Sequence, residues 1–119
     1  MSKRKVQIKF LVNDHASHAK LMFDALKELK GDFFEAKMLK STFDKKHFHG
    51  SHTKYMVTDT AALIGTSNWG GDYFSDTAGV SVIMEPIAST VNPKKISLLG
   101  TLKRIFERDF YSSLAKKIY

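Results

Sequence analysis

The sequence has 119 residues, of which 43% are hydrophobic and 26% charged, and it contains no cysteine. This length allows one domain at most, and the composition is that of a folded globular protein and excludes disorder over most of the chain. The lack of cysteine excludes disulfide bonds and thiolate metal sites, and no stretch approaches the roughly 18 apolar residues of a membrane-spanning segment. None of these features assigns the chain to a compartment.

The net charge of +7 is concentrated towards the C-terminal end of the sequence. From Lys94 onward there are seven basic residues and two acidic ones, Glu107 and Asp109. A basic surface attracts polyanions through its field and through counterion release. A solvated helix face with a basic tail explains the same charges equally well, so they do not choose between nucleic acid and anionic lipid.

The first third of the sequence predicts a strand, a helix and a second strand. Lys5–Val12 alternates apolar with polar residues, which is the pattern of a half-buried strand. Asp14 is expected to cap a helix whose apolar stripe ends at Leu29, just before Gly31. Phe34–Met38 predicts a second strand, and a crossover helix between two strands favours parallel pairing.

The remainder predicts a polar loop and further strands, followed by an amphipathic helix. The loop covers Ser41–Ser51, and three strands are predicted at Thr53–Asp59, Ala61–Gly65 and Gly79–Met84. A surface connection between two prolines leads to a helix whose apolar stripe runs from Leu98 to Phe110. This order of elements predicts the α/β class, with a mixed central sheet flanked by helices in a single domain over residues 1–119.

A histidine and a lysine two residues apart are the most informative feature of the sequence. Because side chains alternate along an extended segment, His52 and Lys54 are expected to point to the same side. If the strands on either side of Asp59 pair, the hydroxyl and amide groups of residues 66–68 return to that position. An imidazole, an ammonium and neutral donors around one point suit a phosphodiester.

These residues resemble the histidine–lysine–aspartate motif of the phospholipase D superfamily. The motif reads His52-x-Lys54-x4-Asp59, followed by Gly65-Thr66-Ser67-Asn68. The longer run that ends at Gly79 is similar to the second motif of the branch that contains the lysosomal 5′-exonuclease and the poxvirus proteins. The resemblance extends from about Val6 to Tyr111. It implies a phospholipase D-like half-domain and leaves open whether that half is truncated at its N-terminal side.

The resemblance implies catalytic roles for His52, Lys54 and Asn68. The histidine would either attack phosphorus to form a phosphohistidine or protonate the leaving oxygen. Its place in a C-terminal motif resembles that of the acid, and both roles stay open. Lys54 and Asn68 would bind the phosphate.

Four residues are expected to support this site: Asp59, Thr66, Ser67 and Asp76. Asp59 is expected to orient the turn between strands, and Thr66 and Ser67 would offer hydroxyl groups to the phosphate or the histidine. Many superfamily members place an acid after the asparagine to orient the histidine. Asp76 is the nearest candidate for that acid, whereas Gly79 falls at the position itself.

The histidines at 47, 49 and 52 suggest a metal site, since imidazole is a common metal ligand. Histidines that alternate in a polar loop need a further ligand and supporting hydrogen bonds. The resemblance implies metal-independent chemistry without a cofactor, and no metal is predicted.

Aromatic residues follow the predicted phosphate donors. Trp69 and Tyr73, with Phe74, would stack on nucleobases or else belong to the core. The sequence supports the two interpretations equally.

The superfamily builds one active site from two such motifs, and this sequence contains one. A second motif-bearing half is therefore expected, either from a homodimer partner or from an N-terminal domain absent here. Without that half, the isolated chain would be inactive.

Three functions remain open. The first is a phosphodiesterase, a nuclease or 5′-exonuclease on single-stranded nucleic acid that uses a phosphohistidine. The others are a phospholipid phosphodiesterase and a non-catalytic truncated domain.

Overall fold

The structure, a computed structural model, describes residues 5–14, 19–43, 48–86 and 97–118. The chain forms two compact units, of which the first combines Met1–Ser51 with Arg108–Tyr119 and the second is His52–Glu107. In chain order the elements are β1 (Ile8–Asn13), α1 (Ala19–Glu28), β2 (Phe34–Leu39), β3 (Thr42–Phe43), β4 (Phe48–His49), β5 (Tyr55–Val57), β6 (Ala62–Gly65), α2 (Asp72–Ser75), β7 (Ser81–Met84), α3 (Leu98–Phe110) and β8 (Ala115–Lys117).

The first unit is built on two parallel strands joined through a helix. β1 and β2 pair from Ile8 opposite Phe34 to Asn13 opposite Leu39, and α1 lies between them in the chain. This confirms the strand, helix and parallel strand expected from the sequence. β8 pairs antiparallel with the other edge of β2, which makes β2 the central strand. The sequence does not predict β8, because its three residues include two lysines and show no apolar alternation.

The core of the first unit contains Leu26, Ala36 and Phe110, which are all buried. The Lys37 ammonium donates to the carbonyl of Phe110 at 3.0 Å and lies 4.3 Å from the centre of its ring. A lysine that reaches the last carbonyls of a helix satisfies an acceptor without an intrahelical partner. Lys37 therefore binds the end of α3 to the central strand.

The helix cap predicted at Asp14 involves residues 15–18, which lie outside the described ranges, so it stays a prediction. α1 begins at Ala19, and the Asp14 carboxylate accepts hydrogen bonds from the N–H and the hydroxyl of Ser41 at 3.1 and 2.6 Å. These bonds join the end of β1 to the segment after β2. That segment, predicted as a loop, contains the short antiparallel pair β3 and β4.

The second unit contains a three-stranded antiparallel sheet with β6 in the centre. Tyr55, Ile64 and Val82 lie opposite one another, and so do Met56, Leu63 and Ile83. All three strands lie within the ranges that the sequence predicts. Adjacent strands pair because they are consecutive in the chain, which favours antiparallel neighbours.

The start of α3 follows from a serine cap. The Ser97 hydroxyl accepts the N–H of Gly100 at 3.1 Å, and its carbonyl accepts the N–H of Thr101 at 2.9 Å. A serine in this position satisfies donors that have no partner within the helix. The helix lies at the predicted position.

The mixed α/β class is confirmed. Within the described ranges the strands form two three-stranded sheets and one two-stranded sheet, whereas the sequence predicts one central sheet. Among the residues described above, no helix is long and apolar enough to cross a membrane. The extent of the domain, residues 1–119, stays a prediction.

Candidate active site

Lys54 lies at one face of the sheet in the second unit. Its carbonyl accepts the N–H of Gly65 at 2.9 Å, which extends the pairing of β5 and β6 by one residue. Gly65 in turn lies opposite Ser81 on β7. Because opposite residues in an antiparallel sheet point to the same face, Lys54, Gly65 and Ser81 form one row across three strands.

The glycine in this row leaves space between its two neighbours. A Cβ atom at Gly65 would overlap the Ser81 hydroxyl. Any larger residue would therefore fill the surface between the lysine and the serine. A cavity of about 260 Å³ lies at this place. Its polar lining is Lys54, Gly65, Ser67, Asn68 and Ser81, and its apolar lining is Leu63, Trp69, Tyr73 and Phe74.

The cavity brings together several residues that the sequence singles out. Lys54, Asn68 and Ser67 lie in its wall with Trp69 and Tyr73. Lys54 carries the one formal charge among the lining residues. An ammonium with an amide and a hydroxyl is a donor set suited to a phosphate oxygen. The individual roles of these residues stay predictions.

Thr66 joins the motif to the chain that precedes β7. The Thr66 N–H donates to the Val80 carbonyl at 3.0 Å, and the Val80 N–H donates to the Thr66 hydroxyl oxygen at 3.0 Å. That hydroxyl donates in turn to the same carbonyl at 3.3 Å. Thr66 thereby fixes the chain next to Ser67 and Asn68. Thr66 does not line the cavity, and its predicted contact with the phosphate or the histidine stays a prediction.

Gly79 allows this close approach. A Cβ atom at Gly79 would overlap the Ser67 hydroxyl and would lie 3.1 Å from the Thr66 hydroxyl oxygen. The sequence predicts Gly79 as the first residue of a strand and places it where many superfamily members have an acid. A glycine next to a strand marks a close approach of two chain segments, and this signal was available.

The turn between β5 and β6 is closed by a threonine rather than by the aspartate of the motif. The Thr58 hydroxyl oxygen accepts the N–H groups of Thr60 and Ala61 at 3.2 and 2.9 Å. The same hydroxyl donates to the Ala61 carbonyl at 3.1 Å. Asp59 lies exposed in this turn. A threonine that accepts N–H groups two and three residues ahead is a known turn motif, and its presence at Thr58 is compatible with the sequence of this turn.

His52 lies outside the lining of the cavity, and its side chain is exposed. The Lys54 ammonium donates to the His52 carbonyl at 3.1 Å, so the cation stays close to the histidine backbone. Asp76, the candidate orienting acid, accepts the Ser75 hydroxyl at 2.8 Å. Within the described ranges no hydrogen bond joins Asp76 to His52.

The suggested histidine cluster falls partly outside the described residues, since His47 is among those not described. In the part of the chain that the structure describes, no three histidine, aspartate or glutamate side chains are grouped closely enough to hold a metal ion.

Part of the chain is similar to known enzymes. Over 65 residues it is 45% identical to the Mus musculus protein named 5'-3' exonuclease PLD4, a match that covers 55% of this chain and 13% of that protein. Over 69 residues it is 44% identical to the virion nicking-joining enzyme of vaccinia virus (strain Western Reserve), covering 58% of this chain and 15% of the viral protein.

A third relative carries the family name. Over 68 residues the chain is 41% identical to a Caenorhabditis elegans protein named as a probable phospholipase D, covering 57% of this chain and 11% of that protein. The chain is related to the phospholipase D superfamily. No model of a known protein family matches it.

The phospholipase D relationship covers a small part of these relatives. The matches correspond to between 11% and 15% of their length. The names of the relatives support a phospholipase D-like hydrolase family. Because the matches cover so little of these relatives, their activities are not assigned to this chain.

Proposed function

We propose that this chain is a phospholipase D-like phosphodiesterase, a nuclease on single-stranded nucleic acid whose site needs a second motif-bearing half. The observation that carries the proposal is the cavity that Lys54, Ser67 and Asn68 line together. Lys54 lies two residues after His52 in the sequence. The names of two relatives, an exonuclease and a nicking-joining enzyme, support nucleic acid as the substrate.

The proposed reaction divides the work between two histidines. One imidazole attacks phosphorus, and the bond to the leaving oxygen breaks while the other imidazole gives that oxygen a proton. Water then attacks the phosphohistidine, loses a proton to the second imidazole, and releases the phosphate group and the free histidine. Lys54 and Asn68 stabilise the charge on the phosphoryl oxygens throughout. In a homodimer His52 and the partner subunit's His52 would take the two roles.

The test is hydrolysis of a labelled single-stranded oligonucleotide in EDTA over a series of protein concentrations. We expect a rate that rises faster than linearly with protein, because two copies assemble the site. The His52→Ala chain should show no turnover and should unfold at nearly the same temperature, since His52 is exposed. The Lys54→Ala chain should bind the oligonucleotide more weakly.

A phospholipid substrate in vesicles provides the comparison. Unchanged hydrolysis by His52→Ala would contradict the assignment of the site. Hydrolysis of the phospholipid and not of the oligonucleotide would contradict the nuclease. Absence of hydrolysis at every concentration would contradict a homodimeric site.

A further inference from the structure

Two aromatic rings beside the cavity are not part of a core. Trp69 follows Asn68 in the chain, and Phe74 lies on α2. Their side chains are 61% and 79% exposed, and both line the cavity that contains Lys54. A ring that served the core would bury most of its surface. These two rings therefore offer flat apolar surface to solvent directly beside a cation.

The backbone that carries the rings is closed by its own hydrogen bonds. The N–H groups of Tyr73 and Phe74 donate to the carbonyls of Gly70 and Gly71 at 3.1 and 3.0 Å. The Ser75 hydroxyl donates to the Gly71 carbonyl at 3.2 Å. A segment folded in this way in advance loses less entropy when a ligand binds.

The chemistry of the cavity fits one nucleotide unit. Among the described residues, the lining offers a single cation, neutral donors and aromatic rings. These groups match an anionic phosphate joined to a flat base. Its volume of about 260 Å³ lies below the roughly 300–1,000 Å³ of pockets that enclose drug-sized ligands. Such a cavity accommodates one small group, and the rest of a strand would extend outside it.

Building on the proposed function, we propose that Trp69 and Phe74 form a stacking platform for the nucleobase next to the phosphate that Lys54 binds. Every base has a π face, so the platform accepts any base and selects strands whose bases are unpaired. In a duplex the base faces are covered by their neighbours. The platform thus favours single strands without reading their sequence.

Trp69 is the one tryptophan in the sequence, so its fluorescence reports on the platform directly. The experiment titrates the His52→Ala chain, which leaves the strand uncut, with oligothymidylate in EDTA. We expect quenching by oligothymidylate, and little quenching by an abasic strand of equal length or by a duplex. Because binding alone is measured, the result does not depend on turnover.

Substitutions test the rings one by one. Trp69→Ala and Phe74→Ala should each weaken binding of dye-labelled oligothymidylate roughly fivefold or more, whereas Trp69→Phe should retain most of the affinity. Val82→Ala is the matched control, since this side chain is 56% exposed but points to the opposite face of the sheet. It should leave the affinity unchanged.

Three results would overturn the platform. One is equal quenching and equal affinity for strands with and without bases. Another is a loss of self-association in sedimentation, with unchanged oligonucleotide affinity, when the rings are replaced. The third is a Trp69 response to anionic phospholipid vesicles and to no oligonucleotide.

The platform and the proposed function fail in different ways. His52-dependent hydrolysis at equal rates with and without bases would remove the platform and keep the phosphodiesterase. Base-dependent binding without hydrolysis in any assay would keep the platform and remove the phosphodiesterase.

Discussion

At the residue scale, Gly79 determines whether Ser67 can stand in the cavity wall. None of the described glycines has a positive φ, so the effect of a substitution here is steric. Gly79→Ala would place a methyl group on the Ser67 hydroxyl. We expect the free energy of unfolding to fall by roughly 1–3 kcal/mol, as for other overpacked sites. Oligonucleotide affinity should fall with it. Urea unfolding measures the stability, and binding of dye-labelled oligothymidylate measures the affinity.

Gly71→Ala is the control for this substitution. Nothing lies within 4 Å of a Cβ atom at Gly71, and its φ of −58° and ψ of −36° are helical. Alanine there should be neutral or should stabilise by up to roughly 1 kcal/mol. Adding Ser67→Gly to Gly79→Ala should recover stability, because the colliding side chain is gone. If the losses of unfolding free energy from Gly79→Ala and Ser67→Gly simply add in the double variant, the contact between these two residues would be contradicted.

The sequence could predict some of the site residues but not their partners. Local alternation predicts the two strands on either side of Asp59. Their pairing brings Lys54, before the first strand, and Asn68, after the second, to the same cavity. The hydrogen bonds of Thr66 reach a residue fourteen positions away, Val80. Gly79 marks a close approach of two segments, but no local pattern identifies Thr66 as the partner, since that depends on how β7 returns to β6.

At the element scale, the turn between β5 and β6 rests on Thr58. Its hydroxyl makes three hydrogen bonds in the turn, with the N–H groups of Thr60 and Ala61 and with the Ala61 carbonyl. Thr58→Ala should lower the free energy of unfolding by roughly 0.5–1.5 kcal/mol. Asp59→Ala, in the same exposed turn, should change it by less than roughly 0.5 kcal/mol. Chemical denaturation of the two variants measures both losses of unfolding free energy and shows which residue stabilises the turn.

Thr58→Ser retains the hydroxyl and should restore most of the stability. Thr60→Ala replaces a neighbouring exposed threonine and should be nearly silent. A larger loss for Asp59→Ala than for Thr58→Ala would return the orienting role to the aspartate.

Elements with a clear period were predictable, and very short ones were not. Alternation located β1 and β2, and an apolar stripe located α3. α2 has four residues and β8 three, so neither is long enough to show a period. Such elements form because their neighbours offer hydrogen bonds, and propensity is a weak guide to them.

At the scale of the whole molecule, the net charge of +7 and the charge in the cavity are separate observations. Lys116 and Lys117 lie on β8, and Lys94 and Lys95 fall outside the described residues. Among the described residues that line the cavity, Lys54 is the one with a charged side chain. The stacking proposed for Trp69 and Phe74 does not depend on counterion release, because it uses the faces of the bases and not the phosphates.

Because the sequence contains one motif and the proposed site needs two, mixing wild-type and His52→Ala chains tests whether two copies share a site. If two copies build one site that needs both His52 imidazoles, a pair with one His52→Ala chain is inactive. With total protein constant and exchange complete, an equal mixture should keep about one quarter of the wild-type activity, because only pairs of two wild-type chains work. Chains that act singly would keep about one half, and that result would contradict a shared site.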